Sequence, residues 1–176
     1  TDGARPFLKW AGGKRQILPA INANLPKSFA RYHEPFVGGG AVFFDLAPKN
    51  ASISDANEEL INCYLVVRDR AGELVEALRE HVYDKEHYYR VRSWNPRELD
   101  EVRRAARTIF LNKTGFNGLF RVNSKGIFNV PFGRYANPTI CDEENLLACS
   151  ARLADTEISC RPFEKILDGA KAGDFV

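Results

Sequence analysis

Apolar and polar positions at the start of the chain alternate in a pattern that predicts strands and helices in turn. Residues 31 to 37, RYHEPFV, predict a short strand, and three glycines lead from it into the helical pattern AVFFDL. Residues 51 to 55, ASISD, predict a second strand that ends on an acid. Residues 57 to 69 then have the spacing of an amphipathic helix with Asn57 as its N-cap. This order is typical of half of a doubly wound α/β domain.

The middle of the chain has a different pattern. Helical periods recur from residue 73 to 113 with a polar interruption at residues 93 to 96, and residues 114 to 140 are rich in Gly, Asn and Pro and predict loop and hairpin structure. Residues 142 to 153 predict another helix. Residues 157 to 160, EISC, predict a strand, and the final GDFV predicts the opening of one more.

These elements predict one α/β domain that carries an insert. The α/β pattern covers residues 5 to 72 and 155 to 176, and residues 73 to 154 form the helical and hairpin insert. Within the first part, residues 16 to 25 predict a helix with Pro19 near its start.

Composition narrows the protein class without naming a function. The 176 residues are 44% apolar and 27% charged, as in an ordinary globular protein, and no apolar run is long enough to cross a bilayer. The four cysteines have no CxxC spacing and no nearby histidine, so we expect neither zinc nor disulfides but reduced thiols in the cytoplasm. A net charge of +2 is too small to indicate nucleic acid, so the distribution of charge must decide.

The string FLKWAGGK, residues 7 to 14, combines an aromatic side chain and a lysine with a flexible backbone. Two glycines allow a tight turn and a close approach to a ligand. A nucleotide-triphosphate loop is excluded because its required glycine and its Ser or Thr are replaced by Lys9 and Arg15. Taken alone, the string fits equally well a surface turn with a half-buried Trp10.

A second glycine string, EPFVGGGAVFF, lies at the first strand-to-helix turn, where α/β proteins bind ligands. The spacing of Gly38, Gly39 and Gly40 is not GxGxxG, so a dinucleotide site is not indicated. Asp55 ends the next strand, where an acid commonly accepts hydrogen bonds from ribose hydroxyls. Capping of the following helix is an equally good interpretation of Asp55.

Positive charge is concentrated between residues 103 and 134. This segment contains no Asp or Glu, so the remainder of the chain is net acidic. A basic face of this kind attracts phosphates. Its basic residues are Arg103, Arg104, Arg107, Lys113, Arg121, Lys125 and Arg134.

Side chains that can read or stack on bases are interleaved with these charges. They are Asn112, Phe116, Asn117, Asn123 and Phe128. For Arg103, Arg104 and Phe128 we favour a structural role. For Phe116, Asn117 and Arg121 we favour DNA contact, because the GFNGLFR stretch has glycines on both sides of Asn117 and no helical period.

Five strings occur in the order found in one family: FLKWAGGK, EPFVGGGAVFF, SDANEELI, TGFNGLFRVNSKGIFNVPFGRY and GDFV. In them the chain, from about residue 6 to 176, resembles the Dam and DpnII-type DNA adenine methyltransferases of the D12 class. The resemblance implies a Rossmann-like domain that binds S-adenosylmethionine and an inserted subdomain that recognises a target in double-stranded DNA, usually the adenine of GATC. It implies no metal and a monomeric parent protein in the bacterial or phage-infected cytoplasm.

The resemblance assigns roles to individual residues. Trp10 and Lys14 would line the cofactor site, Asp55 would hold the ribose, and Phe163 would lie beside the cofactor's adenine. The pocket wall and floor would come from Phe36, Gly38, Gly39 and Gly40. Base contacts would come from Lys9, Asn117, Leu119, Arg121 and Pro131, with Phe116 inserting near the flipped base and Arg134 contacting a phosphate or a base. Many relatives have Tyr where this chain has Phe116, and the loss of the hydroxyl in Phe116 should preserve stacking but remove one hydrogen bond.

Two other functions compete with this one. A DNA-binding module without catalysis would explain the basic segment, although it has no use for the FLKWAGGK and EPFVGGG strings. An NAD-dependent oxidoreductase would explain the glycines and Asp55, although it leaves the acid-free basic segment without a purpose.

The resemblance implies that catalysis depends on an Asp-Pro-Pro-Tyr motif, which would follow Val176. That motif localises the lone pair of the adenine amino group and stacks on the flipped base, and flipping costs a few kcal/mol. We therefore place no catalytic residue in this chain, and read its end as a truncation that leaves an apolar sheet edge prone to self-association.

We predict that the purified 176-residue chain folds at least in part but does not methylate DNA. Circular dichroism and a methyl-transfer assay on duplex DNA check the two statements. A random-coil spectrum would contradict the first, and methyl transfer by the sequence-verified chain the second.

Overall fold

The computed structural model describes residues 3 to 176, with the side chain of Leu167 excepted. Three strands and seven α-helices are present in this part of the chain. The strands are β1 Tyr32–Glu34, β2 Ala51–Asp55 and β3 Glu157–Cys160. The helices are α1 Leu18–Ala23, α2 Ala41–Leu46, α3 Glu58–Asp69, α4 Ala71–Arg79, α5 Lys85–Arg92, α6 Glu101–Thr114 and α7 Glu143–Leu153. Short 3-10 helices cover Lys14–Ile17, Pro96–Glu98, Phe116–Gly118 and Phe163–Asp168.

The strands form a parallel sheet in the order β1-β2-β3. On the free side of β1, Tyr32 forms a parallel bridge with Phe175. The amide of His33 donates to the carbonyl of Phe175 at 2.8 Å, and His33 Nε2 lies 2.9 Å from Asp174 Oδ2. The GDFV segment therefore adds to the sheet edge, as its sequence predicts.

The predicted α/β half is confirmed, with shorter boundaries in places. Asn57 caps α3 by accepting a hydrogen bond from the amide of Leu60. β1 ends at Glu34 because Pro35 has no amide hydrogen to donate and the glycine turn follows. The helix expected over residues 16 to 25 is split into a 3-10 turn and α1, with Pro19 in the first turn of α1.

Helix α3 joins the sheet to the helices of the predicted insert. It contacts β2 and β3 and also α4, α6 and α7. One apolar cluster accordingly includes Ile53 of β2, Leu60 of α3, Leu74 of α4 and Ile109 of α6. The helical part of the insert thus shares a core with the sheet, and the domain limits at residues 72 and 155 stay predictions.

A second, smaller cluster lies under the hairpin segment. It contains Tyr88 and Val91 of α5, Phe110 and Leu111 of α6, and the hairpin residues Phe128 and Val130. The hairpin therefore rests on its own apolar base, and the structural role expected for Phe128 agrees with its burial.

Two features are absent from the described residues. No helix within residues 3 to 176 is long and apolar enough to span a membrane. The described side chains include no cluster of three His, Cys, Asp or Glu placed to hold a metal ion.

We predict that His81 makes the stability of this helical region depend on pH. Its ring stacks on Phe110 at 4.6 Å, and burial, with smaller contributions from His87 and Arg103, lowers the pKa of His81 from 6.5 to about 4. In the unfolded chain His81 takes up a proton near pH 6.5, whereas in the folded chain it does so only near pH 4. The free energy of unfolding is therefore fully retained above pH 6.5 and falls as the pH decreases from 6.5 towards 4.

Urea unfolding of the wild type and His81→Phe between about pH 7.5 and pH 5 tests this. The variant keeps a ring for stacking and should lose part of the pH dependence. An identical pH dependence in both proteins would contradict the assignment.

Candidate functional site

A cleft of about 250 Å³ lies at the carboxyl ends of β1 and β2. The carboxyl ends of parallel strands meet at one edge of a sheet, so Glu34 and Asp55 reach the same cleft. Its walls come from the FLKWAGGK string and the glycine turn. The residues predicted from the sequence that line it are Trp10, Lys14, Phe36, Gly38, Gly39 and Asp55.

Two residues assigned to this site lie just outside its lining. Gly40 is the N-cap of α2, with a left-handed φ of 74°. Phe163 stacks on Phe36, with ring centroids 5.0 Å apart and planes at 29°. Both rings are about half exposed, so the pair forms an aromatic surface at the edge of the cleft.

The glycine turn is shaped by contacts that a larger residue would destroy. Gly38 has a φ of 49°, and a Cβ there would lie 3.0 Å from Cδ1 of Trp10. A Cβ on Gly40 would lie 2.6 Å from the hydroxyl of Tyr64, which donates to the carbonyl of Gly38 at 2.9 Å. The buried Tyr64 of α3 therefore fixes the floor of the cleft. Sequence analysis missed it because an apolar helical position gives no sign of such a contact.

Glu34 is the second residue that sequence analysis missed. It is 4% exposed, yet its carboxylate accepts hydrogen bonds from Lys14 Nζ at 3.0 Å and from the hydroxyl of Tyr32 at 2.8 Å. Burial raises the pKa of Glu34, while Lys14 and then Tyr32 oppose the rise. Its only signal in the sequence is an acid at a strand end, directly before Pro35 and the glycine turn.

The ammonium group of Lys14, expected to line the cofactor site, is already hydrogen-bonded within the protein. Besides the Glu34 carboxylate, Lys14 Nζ donates to the carbonyl of Phe36 at 2.9 Å. Lys14 therefore compensates a buried carboxylate and ties the FLKWAGGK string to the glycine turn.

Asp55 connects the turn to the start of α3. Its Oδ2 accepts from the amide of Gly38 at 3.2 Å and its Oδ1 from the amide of Asn57 at 3.0 Å. Because Asn57 is the cap of α3, the alternative interpretation of Asp55 as that cap is wrong. The carboxylate stays partly exposed and keeps free lone pairs toward the cleft.

The residues expected to contact DNA lie mostly on the surface. Lys9, Phe116, Asn117, Arg121, Pro131 and Arg134 are exposed, and Leu119 is half-buried. The amide of Phe116 donates to the carbonyl of Pro131 at 2.9 Å, and Asn117 holds a left-handed φ of 54° in the turn between α6 and the hairpin. The guanidinium of Arg121 is held in place by Nε donating to Asn129 Oδ1 at 2.8 Å.

Part of the basic segment serves the fold and is unavailable to phosphates. Arg104 pairs with Glu58 and Glu59, as its predicted structural role requires. Arg107 is buried and donates to the carbonyls of Val91 and Arg92, so its expected place on a phosphate-binding face is wrong. Asn112 is also buried, which excludes base reading by its amide.

Comparison with known proteins shows the family to which this chain belongs. Residues 10–176 match the family model of the D12 class N6 adenine-specific DNA methyltransferases. The chain belongs to this family. The match covers both the cleft and the exposed turn and hairpin.

Several methyltransferases are similar over most of the chain. A Type II methyltransferase of Lactococcus lactis subsp. cremoris is 47% identical over 98% of the chain and 63% of its own length. A Type II methyltransferase of Methanocaldococcus jannaschii is 48% identical over 98% of the chain and 67% of its length. The DNA adenine methylase of Escherichia coli K12 is 42% identical over 80% of the chain and 51% of its own length. The chain thus spans between half and two thirds of the length of these relatives.

We predict that Gly40→Ala destabilises the fold by about 1–3 kcal/mol, because the methyl group meets Tyr64 and the backbone φ is left-handed. Gly72→Ala in α4 is the matched control. Nothing lies within 4 Å of its added Cβ, and alanine in a helix is favoured by about 0.5–1 kcal/mol. Denaturant unfolding compares the two, and equal stabilities would contradict the assigned geometry.

Proposed function

We propose that this D12 methyltransferase chain binds S-adenosylmethionine in the cleft and duplex DNA on the exposed turn and hairpin, for methyl transfer to N6 of adenine within GATC. The observation that carries the proposal is the position of the cleft. It lies at the carboxyl ends of two parallel strands. The side chain of Asn112 donates both to the carbonyl of Lys9 in its wall, the FLKWAGGK string, and to the carbonyl of Gly118 in the turn that holds Asn117.

The donors and acceptors of the cleft fit the cofactor. Glu34 and Asp55 bring two carboxylates against the single ammonium of Lys14, so the lining carries a net negative charge that suits a sulfonium. Asp55 has acceptors for ribose hydroxyls. Gly38 and Gly39 have no side chains, so Trp10 packs directly on the turn and forms with it the wall against which the cofactor would lie.

Aromatic surfaces suit the cofactor's adenine. The indole of Trp10 lines the cleft while it packs on Gly38, and the Phe36–Phe163 stack offers a half-exposed aromatic face at the cleft edge. The centroid separation of 5.0 Å leaves no room for a base between the two rings, so we place the adenine against this pair instead of within it.

The chain's part in the reaction is positioning. S-adenosylmethionine supplies the methyl group, and the residues of the cleft hold it at a fixed place beside the DNA face. Arg121 and Asn117 can read base edges in the major groove, and Phe116 can stack near an extruded base. Lys9 and Arg134 supply cations for phosphates or bases, and Leu119 and Pro131 supply apolar contact.

Membership of a methyltransferase family counts against the two competing hypotheses. A DNA-binding module without a cofactor would have no ligand for the cleft. An NAD-dependent oxidoreductase would have no ligand for the exposed basic hairpin. We propose that the enzyme acts on DNA in the cytoplasm as a monomer.

A calorimetric titration of the chain with S-adenosylmethionine tests the proposal. Trp10→Ala should weaken binding at least about tenfold, or about 1.4 kcal/mol, because the indole covers the glycine turn. Trp94→Ala removes the only other tryptophan, in the smaller apolar cluster, and should leave the affinity within about twofold. Circular dichroism confirms that each variant is folded. Equal losses in both variants, or no binding by the wild type, would contradict the proposed cofactor site.

A further inference from the structure

The cofactor cleft and the DNA face are joined by a continuous set of contacts through Trp10. One side of the indole lies against Gly38 in the cleft, where an added Cβ would be 3.0 Å from Cδ1. The ring also stacks with Phe120 of the hairpin segment, with centroids 5.3 Å apart and planes at 26°. A movement of Trp10 therefore changes its contact with Phe120.

Phe120 belongs to the hairpin segment and is anchored there. It lies between Leu119 and Arg121, two residues of the proposed DNA face, and packs edge-on against the buried Phe128 at 5.7 Å. Its ring thus connects the apolar base of the hairpin to the wall of the cleft. The chain order gives no sign of this pairing, since 110 positions separate Trp10 from Phe120.

Asn112 of α6 makes a second connection beside the first. It is 3% exposed, and its Oδ1 accepts from the amide of Lys9 at 2.9 Å. Its Nδ2 donates to the carbonyl of Lys9 at 2.8 Å and to the carbonyl of Gly118 at 3.0 Å. One buried amide therefore fixes the residue before Trp10 and the residue after Asn117.

The approach of the two segments at this point is close. A Cβ on Gly118 would lie 2.6 Å from Cδ of Lys9, and the φ of Gly118 is 60°. Packed groups with so little free space shift together, because a gap forfeits their contacts.

Resting on the proposed function, we infer that Phe120 and Asn112 are positioning residues that couple cofactor binding to DNA binding. A cofactor that holds Trp10 against the glycine turn also holds Phe120 and the Asn117 turn in the arrangement that meets DNA. Coupling between two sites is reciprocal, so DNA must raise the affinity for the cofactor by the factor by which the cofactor raises the affinity for DNA.

The coupling is measured in the full chain with sinefungin, a non-reacting analogue of S-adenosylmethionine, and a GATC duplex. Calorimetry gives the dissociation constant of sinefungin with and without saturating duplex. We expect the duplex to strengthen sinefungin binding about fivefold or more in the wild type. The ratio of the dissociation constants of sinefungin without and with duplex should fall to within about twofold of unity in Phe120→Ala. Phe120→Tyr should keep the wild-type ratio because the aromatic ring is kept.

Val122→Ala is the matched control. It removes an exposed apolar side chain from the same hairpin that takes no part in the Trp10–Phe120 stack, and should keep the wild-type ratio. Asn112→Asp, which cannot donate to the carbonyls of Lys9 and Gly118, should lower the ratio by the second route. Phe120→Ala keeps the test decisive if the buried Asn112 variant does not fold.

The outcomes separate this inference from the proposed function. If both ligands bind and Phe120→Ala keeps the wild-type ratio, or if the wild type shows no coupling, the positioning role is wrong and the proposed function stands. If the wild type binds neither sinefungin nor duplex, the proposed function fails and the inference fails with it.

Discussion

The hydrogen bond from the buried hydroxyl of Tyr64 to the carbonyl of Gly38 is the contact on which the candidate site depends. Helix α3 carries Tyr64 and is packed against the sheet on one side and against α4, α6 and α7 on others. The position of α3 therefore decides the position of the glycine turn. Because Gly40 has no Cβ, the tyrosine hydroxyl can lie directly under the turn. A displacement of α3 by about one ångström would stretch the 2.9 Å hydrogen bond beyond hydrogen-bonding distance.

Charge in this protein is divided between the fold and the surface. The Lys14–Glu34 pair is drawn into the wall of the cleft, where burial raises the pKa of Glu34 against the opposing effect of Lys14. Arg104 of α6 is paired with Glu59, and Arg107 of the same helix donates to backbone carbonyls. Arg121, Lys125 and Arg134 of the same basic segment stay exposed. A partner such as DNA therefore meets these hairpin charges and, on α6, the exposed Arg103.

The apolar core of the fold is divided into two clusters. Helices α4, α6 and α7 share the main apolar cluster with the sheet, whereas α5 and the hairpin form the smaller one. The Trp10–Phe120 stack, the Asn112 hydrogen bonds and the close approach of Lys9 to Gly118 join the hairpin side to the cleft wall. Few contacts of this kind can transmit a change at one site to the other, because each has a defined geometry that either persists or is lost.

The sequence by itself determined the order of strands and helices, the Asn57 cap, the glycine turn and the family. These features depend on residues that are neighbours in the chain, since periodicity, capping and turn formation are local. The tertiary structure alone decided that Glu34 is buried beside Lys14, that Arg107 and Asn112 face inward, and that Phe120 stacks on Trp10. A side chain's burial and its partner depend on which elements pack together across the fold. Asn112 binds a segment 103 positions away, and no local pattern encodes a contact of that separation.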